Sequence, residues 1–524
     1  MVLAAVNVQH LTSYQPLSLP VFEESSAPIQ NKTTLPPRQV ADQLVEVYFQ
    51  YRTAHLPIVS RHRIARAIDN AYNSLNVDHD LGQVADMDMF LAYMVFAIAL
   101  TGIQHTSGGR SSQSDGCFLS ALAWVEDLLT YSKTELDTLR VVLLLAQFIA
   151  LSPSRGSLWH LTGFALRLCV DIGLHWENEA QSHEMEPDVL DDRRCLWHSM
   201  YYFDRLLCVT LGRPSGIADE CIHVQMPNPW TRSRRRLLSQ SDDWDVCHQR
   251  AHNHLFALAK LESEIRHVQH SRFWALKVAH PKPNLQAWLK DIEPRLREWY
   301  STIPEPNKAQ PSSIFALQAY WEVMYHNAIL LLYRPNTGAS YQQTEEMFVF
   351  FDASCKVVTG LQSLQREGRL EMLWRAVHHL FMAGLGVIYG LWHSKEIRDQ
   401  NPINKCISVL QSCASTLSAM SATFAGASGC RDAFEILSSA TIDWLVTNDI
   451  EEVRQNRLEF EKHVKDLMGQ LRPSYDGQAT TGFVRGDDIS AVLSNDNFDI
   501  SELLNTAAQW PDLGEFSFDS TIVA

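Results

Sequence analysis

The sequence predicts an all-α protein built around a large multi-helix domain. From about residue 37 to residue 470 apolar side chains recur at the three-and-four spacing of helices, and strand-like alternation is scarce. The best-defined apolar runs stop on glycine or proline, at Gly173 and at Gly212-Arg213-Pro214. With 46% hydrophobic and 20% charged residues over 524 positions, a sizeable core is affordable and most of the chain should be globular.

Residues 1–36 are rich in Ser, Pro, Thr and Gln and end in Leu-Pro-Pro, the composition of a disordered lead-in. The opening run MVLAAVNVQHLTS has no basic flank and too short an apolar core for a secretory signal. Two apolar stretches, Met89 to Ile103 and Leu380 to Trp392, fall short of the roughly 18 to 20 residues that a spanning helix needs. A soluble intracellular protein with buried helices is expected.

Two helices stand out between them. Leu158, Leu161, Ala165, Leu168 and Ile172 form one stripe, and Gly173 supplies a stop. The next helix is expected to begin after Asp191 and Asp192, acids suited to the positive end of a helix dipole. It should carry Leu196, Trp197, Met200, Phe203, Leu207 and Leu211 inward before Gly212 and Pro214 end it. Gly212 is the natural residue for a left-handed helix end, and Asp204 with Arg205 should orient the join through polar contacts.

The stretch Gly384-Leu-Gly-Val-Ile-Tyr-Gly390 is one residue too long for a dinucleotide fingerprint, and LWRAVHHLFMA before it is helical rather than strand-like. Small residues that let helices approach closely explain it better. The acids of PDVLDD could suggest the magnesium motif of an all-helical terpene cyclase. The only second cluster, NDIEE at 448–452, lacks the expected hydroxyl residue, which leaves a metal-dependent enzyme of that type as a remote alternative. His248, His252 and His254 have helical spacing but no carboxylate or thiolate to complete a metal site. With no G-x-S-x-G elbow and no P-loop, no catalytic residue, metal ligand or cofactor site is assigned, and an enzyme is not expected.

Ten cysteines, none in a Cys-x2-Cys pair and most inside apolar runs, read as buried free thiols. Arg232, Arg234, Arg235 and Arg236 make a short basic cluster, either an import signal or a solvated loop. The net charge of −16 argues against nonspecific nucleic-acid binding by the chain as a whole.

After a linker at 471–486, residues 487–524 hold eight acids and no Lys, Arg or His, half of that net charge. Ile500, Leu503 and Leu504 would share one turn of a helix, flanked by Phe498 and Trp510, with Phe516 and Phe518 beyond. Acids keep such a segment solvated until a partner groove takes its apolar face, which is the chemistry of an activation segment.

The run WHLTGFALRLCVDIGLHWE followed by DDRRCLWHSMYYFDRLLCVTLGRPSGIADECIHVQMP resembles the signature of the fungal-specific transcription factor domain, the middle regulatory domain of fungal zinc-cluster regulators. The matching positions are Trp159, Gly163, Ala165, Arg167, Gly173-Leu174-His175, Arg193, Arg194, Leu196-Trp197, Asp204-Arg205, Leu211-Gly212-Arg213-Pro214, Ile217 and Met226-Pro227. LVEVYFQYRTAHLPIVSR, with Tyr48, Phe49, His55 and Pro57, resembles the opening helix of the family, and YHNAILLLYRP at 325–335 a later one. The resemblance covers roughly residues 37 to 450.

It implies an all-α regulatory domain, a nuclear location and control of a gene set, such as a secondary-metabolite cluster. Members usually carry six cysteines that hold two zinc ions and place a helix in the major groove. Here the first cysteine is Cys117. The expectation is therefore a regulator or co-regulator that reaches promoters through a DNA-bound partner, possible as a homo- or hetero-oligomer, and recruits the transcription machinery or a co-activator through its tail. The alternative is a complete activator whose zinc-cluster exon is missing from this sequence.

Overall fold

A computed structural model describes residues 33–53, 56–74, 82–101, 112–131, 134–230, 240–274, 284–335, 344–370, 372–447 and 450–471. Among these residues no β-strand is present, only one isolated bridge between Trp176 and His223. No helix of the described residues is long and apolar enough to cross a membrane. The lead-in before residue 33 and everything after 471, including the linker and the acidic tail, lie outside the described residues, as do the arginine cluster and His55.

Contacts divide the chain into two compact units. The first comprises Met1–Val209 and Pro214–Trp321. It opens with α1 (Arg38–Val47), which runs into a π-helical turn at Tyr48–Arg52, and continues with α2 (Arg61–Ser74), α3 (Gly82–Leu100), α4 (Ser112–Leu122), α5 (Val125–Tyr131) and α6 (Glu135–Leu151). Then follow α7 (Leu158–Asp171), α8 (Glu179–Glu184), α9 (Pro187–Leu211), α10 (Gln240–Trp274) and α11 (Leu285–Ser301). Two of these helices are central. In α3 every residue from Phe90 to Leu100 is buried, and in α6 every residue from Leu139 to Ala150. A helix apolar on all sides has to be wrapped by others, and α3 packs against α1, α2, α4 and α6.

The π turn carries the family-like opening motif. Tyr48 and Phe49 are buried, and the Tyr48 hydroxyl donates to Gln147 Oε1 at 3.3 Å. Gln147 Nε2 donates in turn to the Arg52 carbonyl at 2.7 Å, and His252 Nε2 meets the Thr53 carbonyl at 2.7 Å. Widening a helix leaves carbonyls without their usual partners, and these side chains take them up.

In the second unit, Thr210–Arg213 and Glu322–Ala524, α12 (Gln318–Leu332), from its fifth residue on, is followed by α13 (Thr344–Arg366), α14 (Leu373–His393), α15 (Lys395–Gln400), α16 (Ile403–Ser421), α17 (Ser428–Val446) and α18 (Ile450–Leu471). Here α14 is central, buried from Trp374 to Leu391 and packed on α13, α16 and α17. The glycine-rich stretch makes that packing achievable. A Cβ at Gly384 would sit 2.5 Å from Phe434 Cε2 and 2.7 Å from Cys413 Sγ, and one at Gly390 would sit 2.6 Å from Phe351 Cδ2. At Gly386 it would collide with Ser354 Oγ. Close helix approach, not a nucleotide fold, is what these glycines serve. Gly384→Ala is expected to destabilise this unit by about 1–3 kcal/mol through overpacking, read as a lower denaturant midpoint at unchanged slope.

Candidate functional site

α7 begins on Ser157, whose hydroxyl accepts from the His160 N–H, and ends on Gly173 at φ 71°. The Leu174 N–H closes back on the Cys169 carbonyl at 2.8 Å and the Gly173 N–H on Val170 at 3.1 Å, the paired bonds of a glycine helix stop. The buried face is Leu158, Leu161, Thr162, Ala165, Leu166 and Cys169. Leu168 and Ile172 are half-exposed, because a 3.6-residue turn carries a strict three-four stripe off the core within four turns.

The following helix, α9, starts at Pro187, four residues before Asp191. Proline at the first position and Asp188 beside it mark the start. Asp191 and Asp192 lie one turn inside and serve other ends. Asp191 Oδ1 accepts the Asn228 N–H at 3.1 Å, and Asp192 pairs with the buried Arg140 of α6. Leu196, Trp197, Met200, Phe203, Leu207 and Leu211 are all buried. Gly212 has φ 68°, the left-handed conformation that ends the helix. Gly212→Val puts a β-branched residue there, and a stability loss of at least about 2 kcal/mol is expected from thermal unfolding.

The centre of the region is Arg205, whose side chain is 2% exposed. Its guanidinium donates from Nη1 to Asp204 Oδ2 at 2.5 Å, from Nε to Ser263 Oγ at 2.9 Å, and from Nη2 to the Ile217 carbonyl at 2.7 Å and Asp219 Oδ1 at 2.9 Å. It stacks over the Tyr201 ring at 4.4 Å. Tyr201 and Ser263 then donate to the two oxygens of Asp219 at 2.7 and 2.5 Å, and the Gly216 N–H reaches Asp204 Oδ2 at 3.3 Å. Cys208 Sγ points at the Pro214 carbonyl, 3.2 Å away. One cation thus pins residues 214–221 to α9 and α10. Burial holds the Asp204 carboxyl above the ordinary range despite Arg205. Burial also raises that of Asp219, but the charge of Arg205 and the Ser263 and Tyr201 bonds carry it below.

A second cluster lies at the start of α9. Arg194 grips both oxygens of Glu177 through Nε and Nη2, and Nη2 also donates to Gln225 Oε1 at 3.1 Å. The bridge runs here, with the His223 N–H on the His175 carbonyl at 2.9 Å and the Glu177 N–H on the His223 carbonyl at 2.6 Å. The His175 ring lies 6.3 Å from that of the fully buried Trp197. The family-like positions therefore separate into two polar clamps, one around Glu177 and one around Arg205. Trp159 and Gly163 lie half-buried along α7, and Arg167 is exposed. Arg213 is half-buried and Pro214 exposed. Sequence reasoning missed Glu177, Tyr201, Asp219, Gln225 and Ser263.

Of His248, His252 and His254 in α10, two bond separate backbone carbonyls. His252 meets the Thr53 carbonyl, and His254 Nε2 meets the Trp299 carbonyl at 2.9 Å while stacked on that indole at 4.6 Å. Burial, with the charge of Arg61, keeps His248 neutral. No group of three or more metal-ligating side chains occurs among the described residues. All ten cysteines are free thiols, seven of them buried. A cleft of about 470 Å³ opens beside His254, between α10 and residues 302–309, with Phe315 and Trp321 in its wall. Phe498, Ile500, Leu503, Leu504, Trp510, Phe516 and Phe518 lie outside the described residues.

Residues 45–301 match the fungal specific transcription factor domain. The chain is 26% identical over 518 residues to a positive regulator of purine utilization from Emericella nidulans, covering 80% of this chain and 48% of that protein. It is 25% identical over 381 residues to an acetamidase regulatory protein of Aspergillus fumigatus, with 71% and 44% covered. It is 23% identical over 228 residues to sorbicillinoid biosynthetic cluster transcription factor 2 of Penicillium rubens, with 42% and 32% covered. The chain spans about half, or less, of the length of these curated relatives.

Proposed function

We infer that this chain, whose residues 45–301 are a fungal specific transcription factor domain, works in the nucleus as a regulator of transcription for a defined gene set. The observation that carries the reading is the match over the very residues that build both clamps, together with relatives named as regulators of purine utilization, of acetamidase and of a biosynthetic cluster. Such a cluster is the target class we propose. The Arg205 clamp acts as a structural joint that keeps α9, α10 and residues 214–221 in one arrangement. No Cys-x2-Cys pair occurs in residues 1–524, so these residues reach promoter DNA through a partner that binds it, whether a separate protein or a segment encoded beside this one. Residues 471–486 act as linker and residues 487–524 recruit the transcription machinery.

Chromatin immunoprecipitation of the tagged protein, followed by binding of the purified chain to the recovered DNA, tests this. Occupancy at a limited set of promoters without tight, specific binding by the pure chain is expected. Specific binding by the pure chain would overturn the partner route, and no promoter occupancy under any growth condition would overturn the regulatory reading itself. Residues 487–524 fused to an unrelated DNA-binding domain should activate a reporter. Changing Leu503, Leu504 and Trp510 to Ala should lower that activity at least about tenfold, as loss of buried anchors does.

A further inference from the structure

We propose that the end of α7, residues 172–178, α8 and the first turn of α9 form a docking surface for a basic amphipathic segment of a partner protein. Three large apolar side chains are exposed on this stretch: Val170 (40%), Trp176 (57%) and Val189 (49%). Hydrogen bonds tie the segments that carry them to one another. Arg193 Nη2 donates to the Ile172 carbonyl at 3.3 Å, which ties the start of α9 to the end of α7, and Val189 lies one turn before Arg193. The bridge to His223 and the Arg194–Glu177 pair fix the backbone on either side of Trp176, whose ring lies 5.4 Å from that of His223. The indole is therefore presented by a braced segment. A large aromatic held this way loses little freedom on binding, which is why tryptophan anchors interfaces.

Charge selects the occupant. Residues 171–189 contain six acids and no Lys or Arg; Arg194 offsets Glu177, and the rim is acidic through Asp171, Glu179, Glu184 and Glu186. An apolar centre inside an acidic rim repels phosphate and other acidic surfaces and draws in a segment that pairs apolar residues with Lys or Arg. The inference stands apart from the proposed function, since it concerns binding alone.

The test uses the full chain at near-physiological salt and a labelled short helical peptide of leucine and lysine, with leucines on one face and a photo-cross-linker among them. Binding is expected, with cross-links falling in residues 170–189. An all-lysine peptide of equal charge should bind at least tenfold more weakly. Trp176→Ala combined with Val189→Ser leaves the net charge unchanged and should also weaken binding at least tenfold, with a cooperative melting curve retained because about half of each side chain is exposed and the backbone bonds of the bridge remain. Glu184→Gln with Glu186→Gln, which spares every apolar contact, should weaken it several-fold. Unchanged affinity in the Trp176/Val189 variant, or cross-links confined to residues 487–524, would overturn the proposal. So would a tenfold gain in affinity when Arg232, Arg234, Arg235 and Arg236 are changed to Ser, since that would assign the surface to the chain's own arginines.

Discussion

Arg205→Ala destabilises the unit that contains it by about 3–5 kcal/mol, the scale for removing one partner of a buried charge pair. The loss does not come from the contact alone. Without the guanidinium, Asp204 stays buried with the Gly216 N–H as its remaining donor among the bonds described above, and the Ile217 carbonyl loses its side-chain donor. Asp219 keeps Tyr201 and Ser263 but loses the nearby positive charge. Arg205→Lys is expected to recover little, because one ammonium cannot serve four acceptors spread around a planar fork. Arg205→Met with Asp204→Asn should recover part of the loss, since the uncompensated charge is then gone. Hydrogen exchange would show residues 215–222 opening first in Arg205→Ala. An unchanged unfolding transition in that variant would mean that the clamp has no structural weight.

How far this corner was legible beforehand follows from the range of its contacts. Much of what is local could be read: the six inward residues of α9, the stop at Gly173, the left-handed Gly212, and the choice of close packing over nucleotide binding at Gly384 to Gly390, though not the full stripe of α7, where Leu168 and Ile172 turn away from the core. The partners that complete the clamp were not legible. Asp219 lies 14 positions from Arg205 and Ser263 lies 58, and nothing near Ser263 on the 35-residue helix α10 sets it apart from the other polar residues there. The start of α9 was misplaced for a related reason. Its first turns bear charged side chains used in long-range pairs, so the apolar pattern, which starts at Leu196, begins about two and a half turns after the helix does. Pro187 next to Asp188 was the better signal.

Acid should destabilise the first unit between about pH 6.5 and 4, beginning well above the range where most carboxylates titrate. His198, His248 and His254 are each pushed by burial from an ordinary value of 6.5 down to about 4. In the folded chain they remain neutral, His198 against the Gln225 carbonyl at 3.0 Å and His254 against Trp299. The unfolded chain takes up these protons near pH 6.5. A lowered folded value means that the stabilisation is complete above the unfolded one, is lost as pH falls toward the folded one, and levels off below it. For His198 alone the loss across the window is on the order of 3 kcal/mol, at roughly 1.4 kcal/mol per pH unit. Urea titrations at pH 7, 6 and 5 should show a slope that approaches three protons taken up on unfolding. His198→Phe, placed against Phe256, whose ring lies 5.2 Å away and nearly parallel, forfeits the Gln225 bond but should flatten the slope by about one proton. A stability independent of pH between 7 and 5 would show that these imidazoles are not held neutral in the fold.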